Sequence, residues 1–251
     1  MPQIRRPGGV TVDIVPLTMF LRDRVQHIGG RIGSRNTVDL AVPRIHYESQ
    51  DTCSTVSSCL DWRAEIRMSA IDAHGYAPDI AVGAVEFLML QLGDEFIAEL
   101  LAFYGERALA FEELFYGEWL ASDLDENEEF TAGMSISTVL LVLDAYVDPL
   151  MSGSQLRAWA VAHVIHTMLP TTAGLVAMGA FAGRGTVRGP ARRLVSTDHL
   201  DPDWPRVGCI RVPGHPQFFG QSTAYRFLDD ARIALDRCRE QTFCVPVGEH
   251  S

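Results

Sequence analysis

Residues 138–181 constrain the fold more than any other part of this chain. They read as an apolar run, a short Gly/Ser loop, an apolar helix without acids or lysines, and a second apolar run. A strand that feeds a loop and then a helix directs the unpaired N–H groups of the helix start beyond the strand end, where the helix dipole is positive. The sequence therefore predicts a ligand site in this loop.

Length, composition and net charge limit the classes of protein to which this chain can belong. The chain has 251 residues, 47% of them hydrophobic, and a formal net charge of −11. That charge argues against general binding to nucleic acid or anionic membranes. We find no signal-peptide core and no apolar stretch as long as a membrane span, and the five scattered cysteines contain no C-x-x-C pair. We expect a cytoplasmic protein with reduced thiols and without a structural zinc ion.

The pattern of elements favours one domain over residues 1–251. Alternating charged and apolar residues at 62–71 predict a half-buried strand, and the Gly/Pro turn that follows makes 79–90 its partner in a β-hairpin. Residues 94–124 have helical spacing, with Asp94 as N-cap and with Gly105 and Gly117 dividing the segment. We interpret 182–221 as a long irregular insertion and 223–241 as an amphipathic helix. The acid-rich stretch 123–129 is typical of a solvated loop, with a site for a cationic substrate as the alternative.

The order hairpin, helices, strand, turn, helix, strand and late helix resembles the GNAT superfamily of acyl-CoA-dependent N-acyltransferases. The resemblance covers residues 62–181 and is strongest at LLVLDAYVDPLMSGSQLRAWAVAHVI, which looks like the family's fourth strand, pyrophosphate loop and following helix. It implies an α+β fold with a mixed, mainly antiparallel central sheet flanked by helices. It also implies that the fourth strand splays from its neighbour, GLVAMGAF, and that Tyr146 and Val147 bind the pantetheine arm through their backbone groups.

The loop departs from the family's pattern of [Q/R]-x-x-G-x-[G/A]. That pattern falls on the following residues: Ser152, Gly153, Ser154, Gln155, Leu156 and Arg157. Ser152 replaces Gln/Arg, Gln155 replaces Gly, and Arg157 replaces Gly/Ala. Glycine lets backbone amides approach a diphosphate without a Cβ in the way. Two outcomes stay open: Arg157 turns to solvent or onto the diphosphate and CoA binds, or the loop is blocked and the fold has lost CoA binding.

Acyl transfer to an amine needs a base and, for the departing thiolate, an acid. Asp144, between apolar neighbours on the fourth strand, is a candidate base whose pKa burial would raise; a carboxylate paired with an arginine is the alternative. Glu86, within the apolar run AVEFLML, is a second candidate. The resemblance implies a thiolate-protonating role for Tyr225, with core packing as the alternative.

Other polar clusters have simpler interpretations. His163 and His166 lie one helical turn apart but lack a third ligand, so we predict no metal. A second polar cluster lacks the pattern of a calcium loop, and we predict a surface turn there. It consists of Asp198, His199, Asp201 and Asp203. The basic segment GRGTVRGPARR holds Arg184, Arg188, Arg192 and Arg193, which could contact the 3′-phosphate of CoA, contact nucleic acid, or form a solvated loop.

The resemblance implies transfer of an acetyl group from acetyl-CoA to a primary amine by direct attack. The amine could belong to a small molecule or to a protein. The alternative function is a catalytically inactive GNAT-fold module that binds or regulates. We expect no membrane or nucleic-acid partner, and homodimerisation is possible.

Overall fold

A computed structural model describes residues 14–28, 37–50, 58–71, 79–180 and 201–247. The strands are β1 (Ile14–Pro16), β2 (Thr37–Ser49), β3 (Cys59–Ala70), β4 (Asp79–Gln91), β5 (Phe115–Tyr116), β6 (Trp119–Leu120), β7 (Thr138–Val147), β8 (Gly174–Gly179), β9 (Ile210–Val212), β10 (His215–Ser222) and β11 (Phe243–Pro246). The helices are α1 (Leu17–Ile28), α2 (Ile97–Phe103), α3 (Glu106–Leu109), α4 (Ser122–Asp125), α5 (Glu128–Thr131), α6 (Leu156–Met168), α7 (Asp203–Arg206) and α8 (Phe227–Leu235).

One mixed, mostly antiparallel sheet forms the centre of the molecule. Its strands follow the order β11-β2-β3-β4-β7-β8-β10-β9, and β1 pairs with the start of β4. Among these neighbours only β7–β8 and β1–β4 are parallel. Helices flank the sheet, so the predicted α+β class with a mixed, mainly antiparallel sheet is confirmed. The predicted hairpin is also confirmed, since β3 and β4 pair along nearly their whole length.

Two apolar clusters hold helices on opposite faces of the sheet. On one face α6 packs against residues such as Val85, Phe87 and Val142; on the other, α2–α5 pack against Leu88, Leu90 and Leu141. Helix α6 is apolar on nearly every side, and most of its residues are buried. A helix without a polar stripe is stable only when covered, and here the sheet, α7 and α8 cover it.

The segment predicted as one divided helix, residues 94–124, is instead a set of short elements. Gly105 separates α2 from α3 as predicted, but Gly117 lies in the turn between β5 and β6, which pair as a two-stranded sheet. Asp94 is not an N-cap: α2 begins at Ile97 with Phe96 in the cap position and no side-chain capping bond. The acid-rich stretch 123–129 is also not a plain loop, because α4 and α5 overlap it.

The interpretation of residues 182–221 as irregular is wrong for the part that the structure describes. Residues 201–221 contain α7, β9 and most of β10, and β10 pairs with β8 through five residues. The late helix is shorter than predicted, since α8 begins at Phe227 and a 3-10 helix over Asp236–Glu240 follows it. Within the described ranges, no helix is long and apolar enough to cross a bilayer.

Candidate functional site

Strand β7 extends past its partner β8. The two strands pair from Thr138↔Gly174 to Val142↔Met178, and β7 then continues to Val147. At the same point the pairing of β7 with β4 shifts, because Glu86 opposes Asp144 while Phe87 opposes Val142. Leu143 is therefore the extra residue of a β-bulge, which bends a strand and re-aims its side chains. In the described chain, no strand pairs with the last five residues of β7 on the side of β8.

The backbone groups at this edge alternate in direction. The N–H of Asp148 donates to the carbonyl of Val82 on β4 at 2.7 Å, and the Tyr146 carbonyl lies against Gly83 of the same strand. Successive residues of a strand direct their backbone groups to opposite sides. Ala145 and Val147 therefore present theirs to the edge that lacks a strand. Of the two residues predicted to bind the pantetheine arm, Val147 presents its backbone groups to this edge, whereas Tyr146 presents its own to β4.

The loop between β7 and α6 is open at its tip. Ser152, Gly153 and Gln155 are exposed, and a Cβ added at Gly153, whose φ is 83°, would meet no atom within 4 Å. Gln155 occupies the N-cap position of α6 and makes no side-chain capping bond. The first-turn amides of α6 thus have no side-chain cap within the described residues. The Ser154 hydroxyl is buried there and has no hydrogen-bond partner in the part of the chain that the structure describes.

Arg157 takes neither of the two orientations considered from the sequence. Its guanidinium binds Asp201 (Nη2 to Oδ1, 2.6 Å) and Asp203 (Nε to Oδ2, 2.7 Å), and it lies 5.3 Å from the centre of the Trp204 ring. It therefore joins the start of α6 to α7. Leu156, beside it, is buried in the core.

Asp201 and Asp203 do not form a surface turn. Both residues are buried, at 2% and 7% exposed, whereas Asp198 and His199 lie outside the described residues. Burial raises the pKa of Asp201 above its ordinary value, against the opposing effects of the Asp203 backbone N–H and Arg157. Trp204 donates from Nε1 to the Gly179 carbonyl at 2.8 Å, so α7 closes the end of β8. No group of His, Cys, Asp or Glu side chains in the described ranges could hold a metal ion.

Two arginines bind the candidate carboxylates Glu86 and Asp144. Arg63 donates from Nη1 to Glu86 at 2.7 Å and from Nη2 to the Tyr146 hydroxyl at 2.8 Å. Arg107 of α3 lies 3.2 Å from Asp144 and 3.6 Å from Glu86. Arg63, Glu86 and Asp144 lie on the neighbouring strands β3, β4 and β7, beyond the apolar area of the sheet that α2–α5 cover.

This environment differs from the apolar burial predicted for Asp144. The side chain is 21% exposed and paired with Arg107, which matches the alternative interpretation of a carboxylate held by an arginine. Neither arginine was predicted from the sequence. The contact of Arg63 with Glu86 could have been predicted, because alternation along β3 places Arg63 on the same face of the sheet as Glu86, its cross-strand neighbour. Nearby, burial raises the pKa of Asp61, and the charge of Glu86 adds to that rise.

Tyr225 lies at the opposite end of the sheet. It follows β10, whose last residue Ser222 pairs with Leu175 beside the start of β7. Asp144 is five residues further along β7, about 17 Å at the rise of a strand. The Tyr225 hydroxyl donates to the Glu128 carbonyl at 2.8 Å. Tyr225 also lines a cavity of about 300 Å³ between α6 and α8, so the structure does not bring it together with Asp144 and Glu86.

His163 and His166 have different surroundings. His163 is half-buried between Tyr47, whose hydroxyl is 3.0 Å from Nδ1, and Trp159, whereas His166 is exposed and lies 3.8 Å from Asp229. Burial lowers the pKa of His163 below its usual value of 6.5, and the positive charge of Arg239 adds to this, ahead of smaller effects of His166 and Arg232.

The lowered pKa of His163 predicts a dependence of stability on pH. The unfolded chain takes up this proton at a higher pH than the folded chain, so the stabilisation is complete above about pH 6.5 and is lost as pH falls toward the lower, folded pKa. We expect His163→Gln to reduce the slope of unfolding free energy against pH in this window, measured by urea unfolding. His166→Gln is the matched control. A slope unchanged in His163→Gln would contradict the prediction.

Four cysteines of the described chain are free thiols. Cys59, Cys209 and Cys238 are buried, and Cys244 is exposed. Burial raises the pKa of Cys209 to about 12 and that of Cys238 to about 11. A thiol with such a pKa is a poor nucleophile at neutral pH, because the thiolate is the reactive form. The basic segment with Arg184, Arg188, Arg192 and Arg193 lies outside the described residues.

Comparison of the chain with protein-family models, with curated proteins and with solved structures gave no match. What the protein binds must therefore be inferred from its own side chains and backbone.

Proposed function

We propose that this chain binds an acyl-CoA and transfers the acyl group to an amine, as the resemblance to GNAT N-acyltransferases implies. The observation that carries the proposal is the edge of β7 from Leu143 to Val147 on the side of β8, beside the open loop before α6, where no strand of the described residues pairs with it. An extended ligand with amide groups can add to such an edge as a further strand. Ala145 and Val147 would pair with the pantetheine arm.

The loop would hold the diphosphate of the ligand. Unpaired amides at a helix start, together with the positive end of the helix dipole, favour a negatively charged group. Helix α6 has thirteen residues and no side-chain cap, and Gly153 leaves open space at the loop tip. Ser152 and Ser154 would add hydroxyl donors.

The amine would approach from the opposite face of the sheet, where Asp144 and Glu86 lie. A carboxylate attracts the substrate ammonium, and Asp144 would accept its proton. The free amine then attacks the thioester carbonyl: a C–N bond forms, the C–S bond breaks, and the thiolate leaves with a proton from solvent. Donor and acceptor would thus meet at the bulge, from two sides of one strand.

A non-catalytic binding module is the second candidate, and the Arg157 contacts favour it. Arg157 is held by Asp201 and Asp203, so its guanidinium is not available to the diphosphate. Trp204 occupies the space at the end of β8, and Gln155 keeps a side chain where the family has glycine. These features reduce the space and the positive charge that are available for binding CoA.

Titration of CoA by calorimetry distinguishes the two candidates. We expect micromolar binding, weakened about tenfold in Gln155→Glu because a carboxylate at the N-cap repels the diphosphate. The same carboxylate favours the helix dipole, so thermal unfolding should show unchanged or higher stability, and lost affinity would not reflect lost folding. Gln155→Gly is the matched control and should bind at least as tightly as the original chain. Absence of heat at millimolar CoA would refute the acyltransferase proposal and favour the binding module.

A further inference from the structure

The net charge of this protein comes from one layer of its structure. Residues 94–131, which form α2–α5 and the β5–β6 sheet, contain twelve of the 32 acidic residues and one of the 21 basic residues. The rest of the chain has twenty of each. The formal charge of this layer is therefore −11, equal to that of the whole chain, and its one cation, Arg107, is paired with Glu86 and Asp144 on the sheet.

Most of these carboxylates are unpaired. Glu95 accepts a hydrogen bond from Ser58, and Glu113 and Asp123 lie beside His215. The other nine acidic side chains of the layer have no ion pair or hydrogen bond within the part of the chain that the structure describes. Ten of the twelve residues are exposed, so the charge faces solvent.

The same layer exposes four aromatic side chains. The exposed fractions are 57% for Phe96, 71% for Phe103, 83% for Tyr116 and 56% for Trp119. A folded domain rarely leaves several large aromatic residues in water at one place unless they contact a partner. We call these four residues the aromatic patch.

The members of the aromatic patch are neighbours. Phe96 and Phe103 lie seven residues apart, on the same side of α2, with Glu99 between them. Tyr116 and Trp119 are cross-strand partners in the β5–β6 sheet. The two elements meet because the N–H of Ile97 donates to the Gly117 carbonyl at 2.9 Å and the N–H of Gly93 to the Glu118 carbonyl at 3.0 Å. The Trp119 ring lies directly over Gly93.

We propose that the aromatic patch and the carboxylates around it form a docking surface for a basic polypeptide segment that carries apolar residues between its lysines and arginines. Aromatic faces attract cations, carboxylates pair with them, and the rings contact the apolar residues. This inference goes beyond acyl transfer and does not depend on it.

The negative charge of this layer favours a basic polypeptide over a second copy of the chain, nucleic acid or anionic lipid. A second copy of the chain would bring a surface of charge −11 against an equal one, and like charges at an interface oppose association. Nucleic acid and anionic lipid are repelled for the same reason. A basic polypeptide is attracted at long range and, once bound, covers the aromatic rings.

Fluorescence anisotropy with labelled peptides tests the proposal. The probe is a peptide that alternates lysine with leucine and phenylalanine; the controls are an all-lysine peptide of equal length and the same probe with glutamine for lysine. We expect the double variant Phe103→Ser/Tyr116→Ser to bind the probe at least about tenfold more weakly. Glu99→Gln should weaken it about threefold. Ile233→Ser, which removes a side chain 62% exposed on α8, is the matched control.

Probe binding that is weakened by the patch variants and by salt, but not by Ile233→Ser, would support the docking surface. Each of three outcomes would overturn it: no binding of the probe, equal binding of the glutamine peptide, or binding that the double variant leaves unchanged. Self-association of the unmodified chain that the double variant abolishes, seen by sedimentation velocity, would also overturn it, because the occupant would then be a second copy. Circular dichroism of each variant checks that the fold is retained.

Discussion

Replacing Arg157 with alanine is expected to lower the free energy of unfolding by about 3–5 kcal/mol, the range for removing one partner of a buried ion pair. The guanidinium binds Asp201, whose side chain is 1% exposed, and Asp203, which is 10% exposed. Without it, Asp201 stays in the protein interior with no ion-pair partner among the described residues, and Asp203 keeps only the exposed Arg206. The raised pKa of Asp201 agrees with this, because burial already outweighs the attraction of Arg157. Urea unfolding followed by circular dichroism measures the change.

Two variants separate the lost charge from other effects. Arg157→Met keeps the stem of the side chain against Trp204, so a loss similar to that of Arg157→Ala would indicate the charge. Arg206→Ala removes a partner of Asp203 that is 52% exposed and 3.5 Å away, and should cost less than about 1 kcal/mol. The loss in Arg157→Ala should also be smaller at about pH 4 than at about pH 7, since protonation relieves an unpaired buried carboxylate. A loss below about 1 kcal/mol in both Arg157 variants would contradict the prediction.

Local sequence patterns correctly predicted the helices and strands that are determined by residues close together in the chain. The hairpin β3–β4 follows from the alternation over residues 62–71 and the short Gly/Pro turn before residues 79–90. The order β7, loop, α6, β8 follows from two apolar runs around an apolar helix. The helix predicted over residues 94–124 was wrong because apolar spacing continued across Gly105 and Gly117. Part of the segment instead forms a hairpin, in which Phe115 pairs with Leu120 and Tyr116 pairs with Trp119.

The parts of the site that sequence reasoning missed depend on partners far apart in the chain. Arg157 and Asp201 are 44 residues apart, and nothing near Arg157 indicates an acidic partner rather than solvent or a phosphate. Arg107 and Asp144 are separated by 37 residues, and the bulge that brings Asp144 beside Glu86 is a property of strand register. The residue types at the site were visible in the sequence; their pairing required the fold.

Replacing Asp144 with asparagine is expected to reduce kcat/KM for acetyl transfer to a lysine-containing peptide about 100-fold, the order of effect of a general base, while CoA affinity stays unchanged. Asp144 is a better candidate than Glu86, because Glu86 is bound by both Arg63 and Arg107. Among the described residues Asp144 is bound by Arg107 alone, which is 53% exposed and can be displaced by an incoming ammonium. All 21 basic residues of the chain are arginine, so every acetyl-lysine detected comes from the peptide.

The pH profile distinguishes a base from a structural carboxylate. A lysine amine loses its own proton near about pH 10, where an enzymatic base is no longer needed. The deficit of Asp144→Asn should therefore shrink as pH rises toward that value, whereas a structural defect would persist at every pH. Glu48→Gln, a change on an exposed residue of β2, is the matched control and should leave the rate unchanged. Full activity in Asp144→Asn, or a deficit independent of pH, would remove Asp144 from the mechanism and leave the bulge of β7 as a structural feature only.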